Sequence, residues 1–135
     1  MIKIDDIQYV NEPSEINGVV VENDANEALA MIKKGREVAR YEFGESMMPI
    51  LKSGEYCILR PLLGNQEANI GDAVFCEVDG YLMTHMVIMK SNSAKNHKPY
   101  YLIGDTSYTN VFGWTDKVYA TAHGTNVIQN FNDDV

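Results

Sequence analysis

A serine hydroxyl does not attack an amide until a neighbouring base takes its proton, and it must sit on a fixed turn with donors facing the developing oxyanion. The segment Gly44-Glu45-Ser46-Met47-Met48-Pro49 has the residue types for such a turn. Gly44 permits an unusual backbone angle or the close approach of a substrate, and Pro49 stiffens the exit by fixing its own φ. The Ser46 amide is itself a candidate oxyanion donor. Met47 and Met48 flank the serine with flexible, polarisable side chains suited to lining an apolar substrate surface. Gly-x-Ser turns also occur in loops without chemistry, so the turn needs a base and a positioning scaffold before it means catalysis.

Other chemistries find less support. Cys57 and Cys76 both lie in apolar runs, where buried thiols are expected rather than a disulfide, and their spacing matches no zinc or redox pattern. His97, in a polar stretch, and His123, beside Gly124, read as exposed bystanders. No metal site and no cofactor is expected, because no His or Cys pair has ligand spacing on a common strand face. The chain of 135 residues carries a formal net charge of −8. That acidity argues against a phosphate backbone as a direct partner. The N-terminus lacks the apolar core of a secretory signal, and no window approaches the ~20 apolar residues that span a bilayer. A soluble cytoplasmic protein without a membrane anchor is the expectation.

The elements that must hold the turn are mostly strands. Asp24 has the character of a helix N-cap with Glu27 three residues on, Ala28, Leu29, Met31 and Ile32 form an apolar helical face, and Gly35 is a natural C-cap. From Glu37 onward the texture is β. Strands are predicted over 38–43, 56–59, 73–78, 81–89, 100–103 and 117–122. Asp79-Gly80 separates two of them by two residues, a strong hairpin signal that pairs Val74–Val78 with Tyr81–His85. The division expected is an N-terminal arm and short helix over 1–36, a β-domain over 37–124 and a tail over 125–135. Trp114, Phe112 and Tyr108 form an aromatic cluster for which core packing is expected first and substrate contact second. Met83, Met86 and Met89 are expected in the core or lining a pocket.

Taken in order, three boxes resemble the signal peptidase and LexA/UmuD superfamily of serine peptidases. Gly44-Glu45-Ser46-Met47-Met48-Pro49, followed by Ile50-Leu51 and Gly54, resembles the nucleophile box of that superfamily. Ile70-Gly71-Asp72-Ala73-Val74-Phe75 resembles the Gly-Asp segment opening its next strand, and Leu102-Ile103-Gly104-Asp105 resembles its downstream Gly-Asp box. The resemblance covers roughly residues 40–120. It implies a mainly β fold, a twisted antiparallel, barrel-like β-domain of the β-clip type with one short N-terminal helix. It also implies Ser46 as nucleophile and His85, in Thr84-His85-Met86-Val87, as the base where many relatives carry lysine. A histidine titrating near 6.5 suits that role at neutral pH. Lys90, five residues on, should face the opposite side of the sheet by strand alternation. Asp105 is the candidate third group that orients the imidazole. The pattern departs at Met86, where the histidine-type enzymes carry arginine, and at Asn110, near where they carry an acid.

The expected function is hydrolysis of a peptide bond by a Ser46-His85 dyad, with Gly44, Met47, Met48 and Thr84 along the substrate. The substrate would be a peptide or protein, the chain's own N-terminal arm included, although no Ala-Gly or Cys-Gly dipeptide of the kind LexA and UmuD relatives cut precedes Ser46. The same resemblance implies a homodimer. The alternative is a catalytically inactive β-domain that keeps the turn, hairpin and Gly-Asp corner for folding and binds a peptide or protein partner in the same groove.

Overall fold

In a computed structural model, the structure describes residues 13–42, 55–92, 98–107 and 109–128. The described chain is mainly β with one helix, as the residue pattern predicts. A small hairpin comes first, β1 (Glu15–Ile16) and β2 (Val19–Val20), turned through Asn17 and Gly18, whose φ values of 53° and 79° are both left-handed. Helix α1 (Ala25–Lys33) begins where Asp24 accepts a hydrogen bond from the Glu27 amide at 3.0 Å. The Asp24 amide donates to Glu22 Oε1 rather than to Glu27, so the reciprocal half of the cap comes from upstream. Gly35, at φ 80°, takes the left-handed turn that ends the helix.

Seven strands follow: β3 (Val38–Glu42), β4 (Glu55–Pro61), β5 (Ala73–Val78), β6 (Tyr81–Asn92), β7 (Pro99–Gly104), β8 (Val111–Thr115) and β9 (Val118–Ile128). They form one antiparallel sheet in the order β3-β4-β9-β5-β6-β7-β8, with β9 inserted between β4 and β5. The Asp79-Gly80 hairpin forms as predicted, with Val78 opposite Tyr81 and both turn residues at positive φ, the geometry of the tight turn that matches strand twist. Two strands escape the pattern reading. β8 is interrupted by Gly113, and β9 runs past Gly124 to Ile128, beyond the six residues expected of it.

Alternation along β5 divides the core. Ala73 and Phe75 face a cluster with Ala28 and Ile32 of α1, Val38, Cys57, Leu59 and Met86. Val74, Cys76 and Val78 face a second cluster with Val87, Tyr101, Ile103 and the loop residue Ala68. Both cysteines are buried and neither is in a disulfide, as expected, and burial pushes the Cys76 thiol up to about 12. Strands β5 to β8 roll around the second cluster. At the end of β8, Thr115 Oγ1 donates to the Glu77 carbonyl at 2.6 Å, and just after it the Lys117 carbonyl accepts from the Glu77 amide at 2.9 Å. The roll gives barrel-like curvature without closure, since β3 and β8 remain the two ends of the sheet. No helix of the described residues is long and apolar enough to cross a membrane.

Candidate active site

His85 lies on β6 between Met83 and Val87 and pairs with Val74 of β5, which directs its ring to the side of the second cluster. Thr84 pairs with Phe75 and faces the first cluster instead. The two neighbours therefore sit on opposite faces of the strand, and Thr84 is not brought to the imidazole. Its Oγ1 is buried with no hydrogen-bond partner among the described residues.

The His85 ring is half-buried and stacks on Phe112, with centroids 4.2 Å apart and planes at 26°. Nδ1 is buried and has no hydrogen-bond partner among the described residues. Burial lowers the imidazole pKa below its ordinary 6.5, and the Asp105 carboxylate pulls in the opposite direction. The neutral ring, the form that accepts a proton, is thus favoured near neutrality.

Asp105 leaves the end of β7 and is nearly enclosed at 4% exposure. Ser107 Oγ donates to its Oδ1 at 2.8 Å, Asn110 Nδ2 to its Oδ2 at 2.8 Å, and the Thr109 amide to Oδ1 at 3.2 Å. The Ser107 hydroxyl and then the Asn110 groups hold this carboxyl at about 2, against 3.8 ordinarily. All of these donors favour the anion. The expectation that Asp105 orients His85 takes a different form here: among the described residues its hydrogen bonds go to its own loop, and it acts on the ring as a fixed charge. Asn110, one of the two positions where the pattern departs, holds Asp105.

Two glycines shape this corner. A Cβ at Gly104 would meet the Asn110 carbonyl at 2.9 Å and Ile88 Cδ1 at 3.0 Å, so the loop can close on the strand only because that side chain is absent. Gly113, at φ 141°, would meet Val78 Cγ1 at 3.2 Å. Between them the pairing slips: Gly104 is opposite Val111 while Ile103 is opposite Gly113, leaving Phe112 as the extra residue of a β-bulge. Bulges re-aim side chains, and this one aims Phe112 at His85. Of the aromatic residues expected in the core, Phe112 and Trp114 are in fact part-exposed, at 37% and 47%, and Tyr108 lies outside the described residues. Met89 is likewise exposed, whereas Met86 is buried as expected.

A second bulge corrects the placement of Lys90. β6 and β7 pair Val87 with Ile103 but Met89 with Leu102, so Ile88 is extra and the alternation inverts beyond it. Lys90 lies opposite Tyr101 with its Nζ 5.9 Å from that ring's centroid, on His85's side of the sheet. Its ammonium is 2.9 Å from Glu67 Oε1, so it is held as an ion pair.

The exposed His123 has its own partner, Thr121 Oγ1 at 2.9 Å from Nε2. The pair lines a cleft of about 410 Å³ with Arg60, Leu62, Gln66 and Glu67. Arg60 is bound to Glu37 at 3.3 Å. No group of three or more His, Cys, Asp or Glu side chains among the described residues could hold a metal ion. Gly44, Ser46, Met47, Met48 and His97 lie outside the described residues. The segment carrying Ser46 leaves from Glu42 and returns at Glu55, which face each other across β3 and β4.

Phe112, Ser107 and Thr109 were not singled out as site residues by sequence reasoning. The loop's signal is present in Gly104-Asp105-Thr106-Ser107, since an Asp followed closely by hydroxyl residues often folds its carboxylate back on its own loop. The Phe112 contact depends on a bulge and has no such signal. No family model, no curated protein and no solved structure matches this chain.

Proposed function

We propose that this chain is a serine peptidase of the signal peptidase and LexA type, acting in the cytoplasm on a peptide or protein. The observation that carries the reading is the state of His85: a half-buried imidazole biased to its neutral form, beside a carboxylate held ionised by its own loop. That is the environment a general base needs. Ser46 Oγ attacks the scissile carbonyl while His85 takes its proton, and the Ser46 amide donates to the oxyanion. The tetrahedral adduct collapses, His85 returns the proton to the leaving amine, and water then hydrolyses the acyl-serine by the same relay. Nδ1 is enclosed, so Nε2 is the nitrogen that exchanges protons. Asp105 offsets the imidazolium charge without bonding to the ring. The N-terminal arm of a second copy, or of the same chain, is one candidate substrate.

The test is labelling by a fluorophosphonate probe, read by intact mass. The wild-type protein should be modified once, at Ser46; Ser46→Ala should abolish labelling, His85→Ala should slow it by roughly 10²–10⁴-fold, and His123→Ala should leave it unchanged. An unlabelled wild-type protein, or labelling that survives Ser46→Ala, removes the peptidase reading. A second reading, a non-catalytic domain that adds a peptide strand to its edge, is favoured by β8, an edge strand exposing Val111 at 55% and Trp114 at 47%. Saturable peptide binding without any labelling would select it.

A further inference from the structure

We propose that Phe112 is the positioning residue of the catalytic imidazole: its ring, aimed by the β8 bulge, holds His85 in the plane required for proton transfer. The inference rests on the peptidase reading and adds how the base is held. A histidine base is ordinarily fixed by an acceptor on its second nitrogen, which sets both tautomer and ring orientation. Among the described residues that acceptor is missing. Nδ1 has no partner among the described residues, and the nearby carboxylate is occupied by Ser107, Thr109 and Asn110.

An imidazole without such a bond keeps freedom about its χ2 torsion, which is broad for aromatic rings. The contact that restricts it is the stack on Phe112, 4.2 Å between centroids and 26° between planes. Its other neighbours on this face, Met83, Val74 and Val87, are apolar and define no ring orientation by hydrogen bonding.

The backbone is specialised to make this contact. Phe112 is the inserted residue of the bulge, and Gly113, next to it, takes φ 141°, a conformation that side chains other than glycine rarely adopt. Gly104, across the pair, has no room for a Cβ. At 37% exposure Phe112 adds less to the core than a buried aromatic would, so its placement over His85 is not explained by burial alone. Asp105 is the charged group acting on the ring from β7, while β5 and the flanking positions of β6 present apolar side chains.

The experiment compares wild type, Phe112→Ala, Phe112→Leu and Phe112→Tyr by two measurements. Imidazole titration by NMR, with His123 as internal control, reads the ring's surroundings without requiring activity. The fluorophosphonate labelling rate and its pH profile read positioning. Removing the ring in Phe112→Ala and Phe112→Leu should hydrate His85 and bring its pKa up toward 6.5, leave His123 unmoved, and slow labelling by roughly 10–100-fold, the scale of a misplaced catalytic group. Phe112→Tyr, which keeps a ring, should restore both. An unchanged His85 titration in folded Phe112→Ala, or a pKa that falls, overturns the proposal. So does a moved titration with an unchanged labelling rate, which would make Phe112 a cover rather than a positioner. If wild type is never labelled at all, the peptidase reading fails, and the titration still decides whether Phe112 governs the ring.

Discussion

His85 and His123 are both strand histidines with a pKa lowered first by burial, yet their surroundings suit them to different things. His123 is exposed, shares a hydrogen bond with Thr121, and has the Arg60 guanidinium as its next influence, which further disfavours a positive ring. His85 is half-buried, has an Nδ1 without a partner among the described residues, lies against an aromatic face, and has a fixed carboxylate as its next influence. The opposite signs of Arg60 and Asp105 are the instructive difference. A base must be neutral at rest and tolerate a proton in transit, and a nearby anion stabilises the protonated ring. A hydroxyl-imidazole hydrogen bond alone, as at Thr121 and His123, does not make a dyad: there the first charge felt is the Arg60 guanidinium, ahead of the Asp72 and Glu37 carboxylates that favour the imidazolium.

The largest effect should come from deleting each imidazole in turn. His85→Ala should lower peptide or probe turnover by roughly 10²–10⁴-fold, the usual worth of general base catalysis, while His123→Ala changes it less than about twofold. The reverse outcome would move the candidate site to the Arg60 cleft. Next in size is Gly104→Ala. The added Cβ would press on the Asn110 backbone and Ile88, so a loss of about 1–3 kcal/mol in denaturant unfolding is expected, as for other overpacked sites. The same variant should perturb the NMR signals of His85 and leave those of His123 in place. A Gly104→Ala protein of unchanged stability would show that the corner is not sterically closed.

How far this asymmetry was legible in the residues depends on the element. Asp24, Gly35 and the Asp79-Gly80 turn act through local chemistry, and their sites are where the pattern reading placed them. The face of each strand residue near the site was less legible, because alternation holds only until a bulge intervenes. Ile88 reverses it for Lys90, and Phe112 is displaced toward His85. Neither bulge has a distinctive residue of its own. The residue pattern gave no strand over 111–115 and ended the last one at residue 122, whereas β8 runs through Gly113 and β9 through Gly124. The Gly-Asp corner was visible, but the direction of Asp105 was not, since a carboxylate chooses between a ring and its own loop only in three dimensions.

A smaller effect separates the anion from the ring it serves. Asn110→Ala removes the 2.8 Å donor to Asp105 Oδ2 and should raise that carboxyl from about 2 toward 3.8. A carboxyl depressed in the folded state stabilises the fold above its unfolded pKa and loses that stabilisation as pH falls toward the folded value. The stabilisation from Asp105 is therefore present above about 4 and lost between there and about 2. Asn110→Ala should move the acid-unfolding midpoint to higher pH, while at pH 7 Asp105 stays ionised and the His85 titration hardly shifts. A large His85 shift in this variant would mean that Asn110 acts on the ring itself.

The smallest expected effect lies between mildly acidic and neutral pH, where both histidines contribute with the same sign. Each has a folded pKa below 6.5, so from 6.5 downward the unfolded chain binds more protons and stability falls with pH until the folded value is passed. Removing either imidazole should flatten that acid-side slope of unfolding free energy. His85→Ala should flatten it more than His123→Ala, because His85 is more enclosed and a water-exposed ring gives up little on protonation. Urea unfolding at pH 5 and pH 7.5 measures the difference. Equal flattening by the two variants would erase the distinction between the buried and the exposed imidazole, and with it the argument that burial tunes His85 for proton transfer.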